Sequence, residues 1–134
     1  MPRRMSCSMT IDAVLERRKT VTRRHVDTWK NLKAGDRLTL IEKGMGLPAG
    51  SKQVVLAEVE VVDVMVEPLW RIIERDDGGW EECSLEGFPT MEPSEFAVFW
   101  MEGHGYRPRT QTEAMAIKCR RIEWRYLDED PPDA

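Results

Sequence analysis

The sequence has no long apolar run. Its longest stretch without a charged residue is Gly44 to Ser51, eight residues that are mostly glycine, proline and serine. A membrane-spanning helix needs about 20 apolar residues, so no span is expected. After Arg3 and Arg4 the chain meets Asp12 too soon for the apolar region of a secretory signal, and this reads as a cytoplasmic protein. Cysteine is scarce and unpaired in pattern: Cys7, Cys83 and Cys119 are odd in number and far apart. A disulfide framework is therefore not expected, and the three read as small buried hydrophobes. The two histidines, His25 and His104, stand far from each other, and no C-x-x-C pair exists. No structural zinc site, other metal or cofactor is expected. No internal repeat is present.

What remains is an ordinary globular composition. The chain has 134 residues, 41% hydrophobic and 33% charged. That length fits one domain, read here as residues 1–127 with an acidic, mobile tail over 128–134. It can bury a core without staples. The net charge of -4 speaks against nucleic acid only as an average. From Met1 to Arg37 there are ten Lys/Arg and four Asp/Glu, a balance of +6, whereas the remainder carries -10.

Hydrophobic periodicity supplies the elements. Ile11, Val14 and Leu15 predict a short helix over Ile11–Arg18 with Thr10 as N-cap. Thr20 to Arg24 reads as extended, and Lys33 to Asp36 as a turn into a strand over Arg37–Glu42. The glycine-rich stretch Gly44–Gly50 lacks the Lys-Ser/Thr of a phosphate-binding loop and reads as a plain connection. Val54–Val66 is the strongest strand signal. Val55, Ala57, Val59 and Val61 share one face, after which Val62, Val64 and Val66 take over, so a bulge or bend is predicted near Val61–Val62. The last strand, Ala114–Tyr126, switches face in the same way at Arg120-Arg121. Pro68–Glu74 predicts a short helix. Phe96, Phe99 and Trp100 predict another, from Pro93 to Gly103 or Gly105. Two long bent strands point to a small α+β fold built on a closed β-barrel with short flanking helices.

The segment Arg17 to Arg24 packs five basic residues into eight positions. Its plain reading is a solvated helix end running into an edge strand. Lys19, Thr22 and Arg24, however, are spaced as in G-x-K-x-x-[TE]-x-R, the signature of ASCH domains. Lys33-Ala34-Gly35-Asp36-Arg37-Leu38 resembles that family's K-x-G-D-x-L turn, Leu85-Glu86-Gly87-Phe88 its acidic segment, and Ile122-Glu123-Trp124 its closing strand. The resemblance spans Met9 to Leu127, with one departure: Arg17 stands where the family usually has glycine. It implies a PUA-like closed barrel and a cleft suited to RNA or a nucleobase, in a small stand-alone protein of the bacterial or phage type.

Three functions follow as expectations. In the first, the chain binds RNA or a nucleotide. Arg18, Arg23 and Arg24 neutralise phosphate and Trp29 stacks on a base, though Trp29 also reads as a core or rim aromatic. In the second, resemblance to acetylcytidine amidohydrolases places Lys19, Thr22 and Glu86 in catalytic positions. Thr22 is then the nucleophile, Lys19 its base, and Glu86 the group that orients Lys19 or protonates the leaving amine. Ribonuclease activity is also attributed to the family. On a straight strand Lys19 and Thr22 face opposite sides, so this chemistry requires a turn between them. The plain reading of Thr22 is a strand-forming hydroxyl, and that of Glu86 an exposed turn carboxylate. In the third, the acidic remainder contacts a basic protein partner.

Overall fold

The computed structural model describes residues 2–43 and 48–129. In chain order the elements are β1 (Arg3–Ser6), α1 (Ile11–Leu15), β2 (Val21–His25), β3 (Arg37–Ile41), β4 (Val55–Pro68), a 3-10 turn (Leu69–Ile72), α2 (Trp80–Glu86), α3 (Pro93–Gly103), α4 (Gln111–Met115) and β5 (Lys118–Tyr126). The strands form one sheet in the order β1-β3-β4-β5-β2. Only β1 and β3 run parallel; the other pairs are antiparallel.

The bulge expected in the long valine strand is present. Val61 pairs with Trp124 and Asp63 with Glu123, leaving Val62 without a partner on β5. The valines beyond it do not all turn inward. Val64 packs on the core, while Val62 and Val66 each stay 47% exposed. The far end of β4 instead buries Glu67. On β5 the face switch needs no inserted residue, since its pairing with β2 runs without a shift. Cys119 packs into a cluster under the helices with Leu69, Ile72, Phe96 and Trp100, whereas Ile122, Trp124 and Tyr126 pack into the sheet's own core with Met5, Leu38, Leu40 and Val59. One strand thus serves two cores. All three cysteines are buried and free, as expected of small hydrophobes.

The closed barrel is corrected to a half-barrel. The five-stranded sheet curls, but β1 and β2 are its two edges and exchange no ladder. They are only four and five residues long. The Arg24 guanidinium bridges them instead, donating from Nη2 to the Ser6 carbonyl at 2.7 Å.

Several boundaries also move. The first helix stops at Leu15, and Arg17 adopts φ 60°, the left-handed region that reverses the chain. The glycine that the ASCH signature places there is the residue that takes this conformation at least cost. Thr10 makes no side-chain cap. Ala114 and Met115 belong to α4, capped by Thr110, whose side chain accepts from the Glu113 N–H; β5 begins only at Lys118. Strand β1 and helix α2 have too little periodicity to be read from sequence. The expected loop falls partly, and the expected tail mostly, outside the described residues. Among the described residues no helix is long and apolar enough to cross a membrane, and no group of three or more His, Cys, Asp or Glu is arranged to hold a metal ion.

Candidate functional site

At the seam between β1 and β2 lies a pocket of about 230 Å³, lined by the chain from Ser6 to Thr10 and by Lys19, Thr22, Arg23 and Arg24. Residues brought in by α2 and α3 complete it: Glu86, Phe88, Phe96, Phe99, Trp100 and His104.

Lys19 reaches this pocket because its backbone is pinned on both sides. After the reversal at Arg17, the Arg18 and Lys19 N–H groups both donate to the Ala13 carbonyl, at 2.8 and 3.1 Å. The Lys19 carbonyl accepts from the Trp124 indole at 3.0 Å and also from the Tyr126 hydroxyl. Thr20 then bonds Leu85 through its N–H and Trp124 through its carbonyl. Strand geometry starts only at Val21. Lys19 thus precedes the strand, and its side chain lines the same pocket as that of Thr22.

The Lys19 ammonium is 3% exposed. Its Nζ donates to the Glu86 carbonyl at 2.5 Å and lies 3.5 Å from Glu86 Oε1. Burial pushes the Lys19 pKa below the usual lysine range, with Glu86 opposing and Arg24 assisting. Helix α2 ends at Gly87, whose φ of +101° closes the last turn. A Cβ there would meet Thr10 Cγ2 at 2.9 Å and Ala13 Cβ at 3.2 Å, so glycine lets α2 sit against α1.

Arg23 is fully buried between carboxylates. It donates from Nη1 to Glu86 at 2.8 Å and from Nη2 to Glu82 at 2.7 Å, with Glu67 3.8 Å away. Burial opposes its charge, but Glu86 and Glu82 outweigh that and hold the guanidinium protonated. Glu82 also accepts from Arg121. Arg24 splits its donors between Ser6 and the Thr22 hydroxyl, the latter at 3.3 Å.

Lys19, Thr22, Glu86, Arg23 and Arg24 therefore line one pocket, and Arg18 and Trp29 do not. Arg18 is solvent-facing and pairs with Glu16 at 3.0 Å. Trp29 packs against the sheet core, with the Arg3 guanidinium 4.1 Å above its ring. Glu86 sits buried on the last turn of α2 rather than in an exposed turn. Sequence reasoning did not single out the aromatic wall or His104. The i, i+3, i+4 spacing of Phe96, Phe99 and Trp100 marks a buried helix face, but not that the face also borders a cavity.

No family model matches the chain, and no curated protein does. Solved structures do. Protein EF3133 from Enterococcus faecalis V583, described as DUF984, matches with a TM-score of 0.60 and 16% identity, over 95% of this chain and 80% of its own. The hypothetical protein PH0355 matches with a TM-score of 0.58 and 16% identity, over 95% of this chain and all of its own. A weaker likeness, with a TM-score of 0.49 and 12% identity, joins 87% of this chain to 69% of an ASCH domain from Lactobacillus crispatus JV V101. The chain shares its fold with EF3133 and PH0355.

Proposed function

We propose that the pocket binds a single nucleobase or nucleoside, free or presented by RNA. The observation that carries this reading is the pocket's mixed lining: the aromatic side chains of Phe88, Phe96, Phe99 and Trp100 border the same cavity as the polar Lys19, Glu86, Thr22 and Arg24. A flat heteroaromatic ring with a polar edge matches that lining. At about 230 Å³ the cavity is below the range of about 300–1,000 Å³ that holds drug-sized ligands, which favours one ring system over a longer segment. Phosphate capture by Arg23 is disfavoured, because Glu82 and Glu86 already neutralise it. Titration of the chain with cytidine, uridine and a single-stranded RNA tests this by calorimetry or by amide shifts of residues 19–24 and 86–104. Shifts outside those segments alone, or no binding at millimolar ligand, would remove the reading.

Hydrolysis of an amide on such a base is a second reading, favoured by the buried Lys19–Glu86 pair in the same pocket as Thr22. In this scheme the neutral Lys19 amine takes the Thr22 hydroxyl proton as Oγ1 attacks the acyl carbonyl. The Lys19 ammonium then returns a proton to the departing exocyclic amine, and water releases the acyl group from Thr22. Glu86 orients Nζ. Cytidine release from N4-acetylcytidine is the assay, and turnover no greater than that of Lys19→Ala would exclude hydrolysis while leaving binding intact.

A further inference from the structure

We propose that His104 accepts a hydrogen bond at Nε2 from a ligand's exocyclic amino group, so that the pocket selects a base with an amino substituent over one with a carbonyl in its place. This deepens the nucleobase-binding reading and rests on it.

The argument begins with the tautomer. His104 Nδ1 lies 2.7 Å from the Trp100 carbonyl oxygen, the residue one helical turn earlier. A carbonyl can only accept, so Nδ1 carries the proton. In the neutral ring the lone pair is then at Nε2. No hydrogen bond engages that atom among the described residues, although the side chain lines the pocket. The ring is also held in orientation, stacked on the Trp100 indole with centroids 3.9 Å apart and planes 22° from parallel.

The other polar side chains discriminate less. Arg24 can only donate, the Lys19 ammonium likewise, the two Glu86 oxygens face Arg23 and Lys19, and the hydroxyls of Ser6, Ser8, Thr10 and Thr22 donate as readily as they accept. His104 is the one neutral ring acceptor on the pocket wall.

Charge would convert it. Burial lowers the His104 pKa below the usual histidine range, and His25 and Arg24 of β2 push the same way, while its own hydrogen bond to Trp100 and Glu86 of α2 oppose. Near neutral pH the ring is an acceptor. On protonation Nε2 becomes a donor and prefers a carbonyl on the ligand.

Cytidine and uridine are suitable probes because they invert the pattern of one edge: cytidine has an amino donor at C4 beside the acceptor N3, uridine a carbonyl acceptor at C4 beside an N3–H donor, and the proposed contact is to the C4 substituent. Their affinities for the full chain are measured by calorimetry from pH 8 to pH 5, and the quantity of interest is the ratio of the two. We expect cytidine to be preferred by about tenfold at pH 8, the effect of one buried hydrogen bond made or missed, with the preference falling on acidification. His104→Phe should bring the ratio near one at every pH. His104→Gln, which retains an acceptor but does not titrate, should keep a preference that no longer varies with pH. His25→Gln should keep a pH-dependent preference, its midpoint moved upward by loss of the His25 charge, since His25 acts on His104 from outside the pocket wall. A pH-independent wild-type ratio, a ratio unchanged in His104→Phe, or a profile flattened by His25→Gln would overturn the role of His104 while leaving nucleobase binding standing. Failure of the wild type to bind either nucleoside would overturn both.

Discussion

Replacing Arg23 with Met keeps most of the side chain's volume and removes its charge from the centre of three buried carboxylates. Exposed ion pairs contribute about 0–1 kcal/mol. Breaking a buried pair by deleting one partner costs about 3–5 kcal/mol, because the other charge is left in a low-dielectric site. Arg23 belongs to the second class: its side chain is 0% exposed, and those of Glu82 and Glu86 are 5% and 4% exposed. Each carboxylate retains a second cation, however. Glu86 keeps Lys19, Glu82 keeps Arg121 and, at 3.5 Å, Arg75, and Glu67 keeps Arg121 at 3.8 Å. The cost should therefore lie near the lower bound, about 3 kcal/mol, equivalent to a fall in Tm of about 10 °C for a chain of this size. Arg23→Lys should recover little, since one compact ammonium cannot span two separate carboxylates. Urea unfolding followed by tryptophan fluorescence measures the loss. A cost under about 1 kcal/mol would refute the reasoning and place Arg23 energetically among surface arginines.

Other expectations are simpler to test. Gly87→Ala should cost about 2 kcal/mol in the same urea assay, from the strained φ and the clash with Thr10 and Ala13. Arg17→Gly should change stability by no more than about 1 kcal/mol, because relief of the left-handed strain offsets loss of the Asp128 pair and of the Tyr126 ring contact. Arg17→Val should be clearly worse than Arg17→Gly. Burial raises the thiol pKa of Cys83 from 9.0 to about 11 and of Cys119 from 9.0 to about 12. The folded chain thus holds protons that the unfolded chain releases above pH 9. This stability is complete below pH 9 and is lost as pH rises toward 12, Lys19 acting in the opposite sense. Cys119→Ala should flatten that alkaline decline in unfolding midpoints measured from pH 8 to pH 11.

Local signals made part of this molecule legible. A period of two that changes phase at Val62 has one mechanical solution, and the bulge is where that solution places it. The phase change at Arg120-Arg121 has a different cause, tertiary in origin: β5 leaves one core and enters another, which no window of nearby residues contains. Barrel closure was over-read for the same reason, since a bend fixes curvature but not whether two edges meet. The spacing of Lys19, Thr22 and Arg24 located one wall of the pocket. The aromatic part of the lining comes from residues some 65 to 85 positions later, where aromatic side chains buried in a core and those bordering a cavity follow the same helical pattern. Arg23 illustrates the limit most directly. As a letter in a basic run it looks available to phosphate, and only the distant Glu82 and Glu86 make it unavailable.

The place of β5 in the sheet has a consequence for how the chain acquires its site during synthesis. The segment carrying Lys19 to Arg24 is made before β5, yet among the described residues the only strand that β2 pairs with is β5, the last of the five. The backbone anchors of Lys19, Trp124 and Tyr126, lie on that same strand. Contacts so far apart in sequence form late and slow the search for the native state. A nascent chain halted before Lys118 would thus hold every residue of the pocket wall without the strand that assembles them, and the pocket would form in one step as β5 docks.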